Sequence, residues 1–378
     1  MSRIVSTSLP KEREADRSDQ VDQPGTPTGS VLPAAFGRNA DFWRRTALAG
    51  LAVSLSFVVA AIPIIVSGKN PLLAYWALVR GACGSVDSIA FALNKSTPYI
   101  LAGVGVALCF RARVINIGAE GQIALGGIAA SWTALNGAAL PGQFLIPLAL
   151  LVGGCAGAGW AAIAAVMRLA RGVHEVLGTL LLNFVGLLLV SEVLHGQMGE
   201  VGAGFPQSPL FPEQAWLPPL IPGTDLHIGI VLAVVAVFIC HLVFWHTPFG
   251  FRLRLLGSTD AAATYAGVSI VRGLLSVMLI AGGLAGAAGA VEVLGVHYRL
   301  IQGFSVGFGF NAVAIALLAS LNPIAVLPAG LFFGFLETGA LAMQREIGVP
   351  SSLVFVIQGL TMVFVLCALG ISLRRQRI

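Results

Sequence analysis

The sequence predicts an all-α polytopic membrane protein with about ten transmembrane helices, and three observations lead to that fold class. Of 378 residues, 57% are hydrophobic and only 10% are charged, whereas soluble domains carry about 25% charged residues. Apolar stretches near the ~20 residues that cross ~30 Å of hydrocarbon recur along the chain. The strand alternation that builds an outer-membrane barrel does not occur.

Residues 1–44 differ in kind. Lys11, Arg13 and Arg17 alternate with Glu12, Glu14, Asp16 and Asp19, and a Pro/Gly/Ser/Thr-rich stretch follows. Such a segment cannot bury a core, so a disordered cytoplasmic tail is expected. It is too long and polar for the n-region of a cleaved signal peptide, and the first apolar span is expected to be retained. From residue 45 to 378 the chain reads as one transmembrane domain.

Ten spans come in order along the chain. They fall at about 46–67, 88–109, 114–135, 143–167, 174–196, 226–246, 273–296, 306–321, 324–342 and 352–373. The second is expected to kink at Asn94-Lys95-Ser96-Thr97-Pro98, where a cap precedes a proline suited to the first helical position, so that its first part either spans or lies in the outer interface. The eighth and ninth are joined only by Asn322-Pro323 and read equally as one re-entrant element. The glycines of the fourth span (Gly153, Gly154, Gly157, Gly159) and the seventh (Gly282, Gly283, Gly286, Gly289) predict close helix packing.

Charge tests the count. With the N-terminus inside, the cytoplasmic connections hold Arg44/Arg45, Arg111/Arg113, Arg168/Arg171, Arg252/Arg254/Arg272 and Arg374/Arg375/Arg377. The connection at 197–225 falls outside and has no Lys or Arg. That asymmetry predicts both termini inside and an even number of spans, with Lys69, Arg80, Arg299 and Arg345 as exceptions. The net charge of +5 is therefore an orientation signal, and no nucleic-acid partner is expected. Five scattered cysteines without a CxxC pair suggest neither a disulfide framework nor a metal site.

The most demanding stretch is FRARVINIGAEGQIALGG, residues 110–127. Asn116, Glu120 and Gln122 stand at the head of an apolar segment, where an acidic group at mid-depth costs roughly 2.5–3.5 kcal/mol. Either they join helices or they line a polar pathway. The helical register sets Asn116 one turn before Glu120 on the same face. Further polar or aromatic candidates for a pathway are Asn183 and Glu192 in the fifth span and Phe304, Phe308 and Asn311 at the eighth. Amides and a carboxylate beside aromatic rings suit a solute with a π face and a hydroxylated sugar.

The connection TPFGFRLRLLGSTDAAATYAGVSIVR, residues 247–272, is too polar to insert. Helical spacing groups Ala261, Ala262 and Tyr265 on one face, with Gly257 and Gly267 as breakers on either side. A short helix between two glycines at the cytoplasmic surface is expected to dock a soluble partner; the alternative is a helix lying in the headgroups, against which its small, Ala-rich apolar face argues.

Taken with NIGAEGQ at 116–122, LNKSTPYILAGVGVALCFRA at 93–112, HEVLGTLLLNFVGLLLVSEVLHG at 174–196 and IQGFSVGFGFNAVAIALLASLNP from 301, this loop resembles permeases of the ribose and branched-chain amino-acid branch of ABC importers. Together the segments look like the larger permease subunit of nucleoside-type importers fed by basic-membrane-protein lipoproteins. The resemblance covers roughly 45–378 and implies a bacterial plasma-membrane protein that imports a nucleoside or related small polar solute. It also implies a second, related permease, ATP-binding subunits that carry the ATP and magnesium, and an extracytoplasmic solute-binding protein. The loop at 248–267 would then be the coupling segment to the ATPase.

Absences agree with that division of labour. No GxxxxGK[ST] phosphate loop occurs, so no cofactor is expected on this chain and no catalytic residue is assigned. The six histidines are dispersed and no HExxH occurs. The competing expectations are an ion-coupled transporter or channel using Glu120, Glu192 and Glu292, and an intramembrane enzyme, for which no constellation is visible.

Overall fold

A computed structural model describes residues 35–258, 260–350 and 352–375. It divides into two units, Met1–Arg44 and Arg45–Ile378, and the second holds every residue of the candidate site. The tail expected over residues 1–44 lies outside the described residues up to position 34.

Thirteen α-helices make up the described chain: α1 (Ala35–Val66), α2 (Pro71–Cys83), α3 (Val86–Arg111), α4 (Ala119–Asn136), α5 (Gly142–Arg171), α6 (Glu175–His195), α7 (Gly229–His246), α8 (Pro248–Leu256), α9 (Asp260–Tyr265), α10 (Ile270–Glu292), α11 (Phe308–Leu318), α12 (Val326–Ile347) and α13 (Ser352–Arg375). Among the described residues β structure is limited to two isolated antiparallel bridges, Gln207 with Ile301 and Pro219 with His227. Five helices are each long and apolar enough to cross a membrane, and α1 with α2 makes a sixth candidate, bent by 117°.

Three local differences from the sequence expectations have clear causes. Helix α2 is an element the span pattern does not predict; Gly68 at φ +71 turns the chain, the Asn70 side chain accepts from Leu72 N at 2.9 Å, and Pro71 opens the helix. Asn94 does not cap a helix start; α3 is capped by Ser85 and runs through Pro98 as one helix. An interior proline removes one helical donor, and hydroxyls close by take up backbone carbonyls, with Ser96 donating to Ala92 and Thr97 to Leu93. Freed from capping, Asn94 reaches sideways to Asp225 O at 2.6 Å and accepts from His227 N at 3.2 Å. Finally, α4 starts at Ala119 rather than 114, because Asn116 accepts from Gly118 N at 2.9 Å and turns the chain ahead of the helix.

The glycine-rich faces pack closely at most of the expected positions, although Gly159 has nothing within 4 Å of where its Cβ would lie. A Cβ on Gly126 would run into the backbone of Gly286, one on Gly157 into the carbonyl of Gly282, and one on Gly286 into the carbonyl of Gly153. Helices α4, α5 and α10 therefore meet backbone to backbone, which brings dispersion contacts and aligned dipoles closer than larger residues permit.

The long connection at 197–228 is folded over the end of α10. Ser208 N donates to Leu300 O at 2.8 Å, Phe211 N to Tyr298 O at 2.9 Å and Leu217 N to Leu294 O at 3.0 Å. Trp216 lies on Tyr298 with ring centroids 4.5 Å apart, and Arg299 pairs with Glu200 at 3.2 Å. This lid holds the residues that come after α10 against the bundle.

Candidate functional site

Inside the apolar bundle, five helices contribute to one connected polar network. Lys95 of α3 sits 3.2 Å from Glu292 at the end of α10 and 3.9 Å from Glu337 of α12. Tyr99, one turn after Lys95, donates to Glu337 at 2.7 Å. Asn311 of α11 donates to Tyr99 Oη at 3.2 Å and to Gln358 Oε1 of α13 at 3.1 Å. At the opposite end, His297 Nε2 stands 3.4 Å from Glu292.

Backbone geometry explains how Glu292 and His297 meet. Residues Val293–His297 form a π turn and Tyr298 comes next at φ +56. The wider turn brings a residue five positions on above its predecessor, where a regular helix would carry it past. Glu292 is fully buried, while Lys95 and Glu337 keep 14% and 31% of their side chains exposed. Glu292 is thus the dry point of the network, between His297 on one side, 23% exposed, and Lys95 and Glu337 on the other. Aromatic rings flank it: Lys95 Nζ lies 5.3 Å from the Phe308 ring centroid and 5.9 Å from that of Phe91, and Tyr99 meets Phe308 edge-on at 5.0 Å.

A cavity of about 690 Å³ lies between α2, α3 and α12, lined among others by Arg80, Asp87, Phe91, Asp225, Arg345 and Glu346. Asp87, Phe91 and Lys95 recur at four-residue spacing on one face of α3, so the cavity's wall continues into the network.

The residues singled out in the sequence fall into distinct places. Glu120 accepts from Gly307 N at 3.0 Å and Gly309 N at 2.8 Å, so its carboxylate holds the N-terminus of α11. Asn116 is not on its helical face; it lies before α4 and exchanges hydrogen bonds with Gln122, at 3.3 and 3.1 Å. Asn183 of α6 accepts from Gly121 N at 2.9 Å and donates to Ile117 O at 2.8 Å, which ties α6 to the start of α4. Phe304 is buried where a Cβ on Gly127 would strike its ring. Phe308 and Asn311 join the network already described. Glu192 stands apart, exposed on the outer side of α6 in line with Leu181, Val185 and Leu188.

Two members of the network, Lys95 and Tyr99, are not among the sequence candidates. The local pattern around Lys95 points to a helix kink, and Glu337 and Gln358, which the sequence offers as a pair between the last two spans, accept instead from Tyr99 and Asn311. A usable signal exists: a lysine inside an apolar span needs carboxylates, and Glu292 and Glu337 are intramembrane carboxylates.

In the segment 247–272, Thr247 caps α8 by accepting from Gly250 N at 3.2 Å, with Pro248 opening the helix. Gly257 closes α8 against α3, since a Cβ there would collide with the Arg111 carbonyl. Ala261 and Ala262 fall in α9, Tyr265 is 96% exposed at its end, and Gly267 turns the chain at φ +70. Beside them a cavity of about 560 Å³ is lined by Phe251, Arg252, Leu255, Val268, Arg272 and Ser276. Among the described residues no group of His, Cys, Asp and Glu is arranged to hold a metal.

Comparison with known proteins gives the arrangement its context. Residues 88–366 match the family described as branched-chain amino acid transport system / permease component. A glucose ABC transporter permease protein of Haloferax volcanii is 37% identical over 84% of this chain and 86% of its own length. A guanosine ABC transporter permease protein of Bacillus subtilis is 34% identical, with 83% and 91% covered. A nucleoside ABC transporter permease protein of Lactococcus lactis is 32% identical, with 83% and 89% covered. In each of these three organisms a further relative is 27% identical to this chain. Permease components form the membrane passage, and ATP hydrolysis lies on a separate subunit. An apolar helical bundle with a polar network through its interior fits that role, and the chain belongs to the family of permease components of ABC importers.

Proposed function

We propose that this permease imports a nucleoside or a chemically related hydroxylated solute across a bacterial plasma membrane. The observation that carries the reading is the network His297–Glu292–Lys95–Glu337–Tyr99–Asn311–Gln358, set among Phe91 and Phe308. Ribose-type hydroxyls exchange well with carboxylate and amide partners, and a base has a π face for the aromatic rings. The relatives named for guanosine and nucleosides support that solute class. The 37% identical relative named for glucose supports a monosaccharide as the second reading.

In this reading about ten spans cross with both termini in the cytoplasm, as the arginine distribution suggests. The cavity between α2, α3 and α12 is the outer mouth, and Glu337 is the first charged group of the network a solute meets. Glu120 and α11 form the inner gate. The segment 248–267, with Gly257, Ala261, Ala262, Tyr265 and Gly267, receives the ATPase. A second permease completes the passage, in keeping with the paired relatives in single organisms, and a solute-binding lipoprotein delivers the solute.

Reconstitution with the ATPase, the second permease and the binding protein tests this directly. Uptake of labelled guanosine or adenosine that requires ATP is the expected result, with glucose as the competing substrate. Uptake by this chain alone under an ion gradient would overturn the importer mechanism in favour of an ion-coupled carrier.

A further inference from the structure

We infer that Arg111 is a positioning residue that transmits movement of the cytoplasmic docking segment to α11 and, through α11, to the polar network. The inference rests on the reading of this chain as the permease of an ATP-driven importer.

Arg111 ends α3, and its contacts reach in three directions. Its backbone carbonyl is the surface against which Gly257 closes α8, so a side chain at 257 has no room. Its guanidinium lies 5.4 Å from the ring centroid of Trp245, at the end of α7. The same ring receives Arg254 of α8 at 5.0 Å, and Arg254 Nη1 donates to the Phe244 carbonyl. Helices α7 and α8 are thereby clamped to one another around an indole, with Arg111 as the third member.

The third contact leaves the docking segment. Arg111 Nε donates to Leu321 O at 3.1 Å, in the turn after α11. Ser320 and Leu321 hold φ of +50 and +59 there, a left-handed conformation that non-glycine residues keep only when neighbours enforce it. Arg111 supplies part of that enforcement.

Helix α11 then spans the distance to the network. Its 11 residues make a rod of about 16 Å. At its far end Glu120 accepts from Gly307 and Gly309, and one turn in, Asn311 bonds to Tyr99 and Gln358. Both ends of the rod are therefore fastened, one to the docking segment and one to the network. An arginine suits the junction because a planar fork stacks on a ring and donates in its own plane at once, which an ammonium cannot do. Its neighbour Arg113 is exposed and meets the ordinary demand for positive charge at the cytoplasmic end of a span. Arg111 is half-buried and directed inward.

The test uses the assembled importer in lipid nanodiscs. Cys83, Cys109, Cys155, Cys240 and Cys367 are replaced and Val306→Cys is introduced just before α11, where the side chain is 64% exposed. Maleimide labelling is timed with and without ATP and vanadate, with Arg111 kept or changed to Lys or Ala. The expected result is a nucleotide-dependent change in labelling that is present with Arg111, weakened in Arg111→Lys and lost in Arg111→Ala. Solute carried per ATP should fall in the same order while subunits still co-purify and basal ATP hydrolysis persists. An equal nucleotide response in Arg111→Ala overturns the inference, as does no response in any variant. Loss of complex in step with loss of uptake also overturns it, since it would reduce Arg111 to a structural role. Absence of ATP-driven uptake by the unmodified complex is a different failure, that of the importer reading itself.

Discussion

Lys95→Met separates the electrostatic role of the network from its packing role. Lys95 faces Glu292 at 3.2 Å and Glu337 at 3.9 Å. At an effective dielectric constant of about 20, unit charges at these separations attract by about 5 and 4 kcal/mol before any desolvation is subtracted. Withdrawing Glu292 from water takes back much of that, so the intact pair contributes little net stability. Truncating one partner is a different matter. It leaves a fully buried carboxylate without its lysine, at a cost of about 3–5 kcal/mol. Replacing Lys95 and Glu292 together by methionine removes the fully buried charge and keeps volume, and the remaining carboxylate, Glu337, is 31% exposed and still bonded by Tyr99, so Lys95→Met/Glu292→Met should regain most of the loss. Thermal unfolding midpoints in detergent, read as a double-mutant cycle, measure the coupling. The order expected is wild type close to the double variant, with Lys95→Met far below both. Uptake should fail in both variants, because an apolar plug offers a solute no hydrogen bonds. Additive losses in the cycle, or a Lys95→Met protein as stable as wild type, would refute the argument.

Two further outcomes rest on individual contacts. Glu120→Gln keeps size but presents an NH₂ to one of the two backbone donors of α11, losing a charge-assisted hydrogen bond of about 1.5–3 kcal/mol. Amide exchange over residues 307–311 should quicken and uptake should fall, whereas unchanged exchange would free α11 from the carboxylate. Gly286→Ala forces a methyl against the backbones of Gly153 and Gly157, and the overpacking should lower stability by about 1–3 kcal/mol. Gly159→Ala has nothing within 4 Å and serves as its neutral counterpart, so equal melting points for the two would dismiss the seam.

The membrane class, the approximate helix positions and the glycine seam are legible in the sequence because they depend on local composition and period. A run of apolar residues near the required length has one stable solution in lipid, the helix, whatever its neighbours do. The two short helices α8 and α9 are legible for the same reason, since Gly257 and Gly267 interrupt the segment locally. Helix α2 is not, because its exposed face, with Leu72, Leu73 and Trp76, leaves no helical amphipathicity distinct from a loop between spans. Periodicity sets Asn116 on the wrong face because an amide that turns its own backbone competes with the helix that the period implies.

By itself, the sequence determined that this chain lies in a membrane and is helical through its apolar spans. Those conclusions come from composition and span length. Only the tertiary structure decided which polar groups share a space. Lys95, Glu292 and Glu337 are separated by up to 242 positions, and nothing local pairs them. Their meeting depends on the glycine-mediated approach of helices, on a π turn that carries His297 onto Glu292, and on α11 being held at both ends. Each is a consequence of packing, in which a charge's partner is chosen by geometry rather than by distance along the chain.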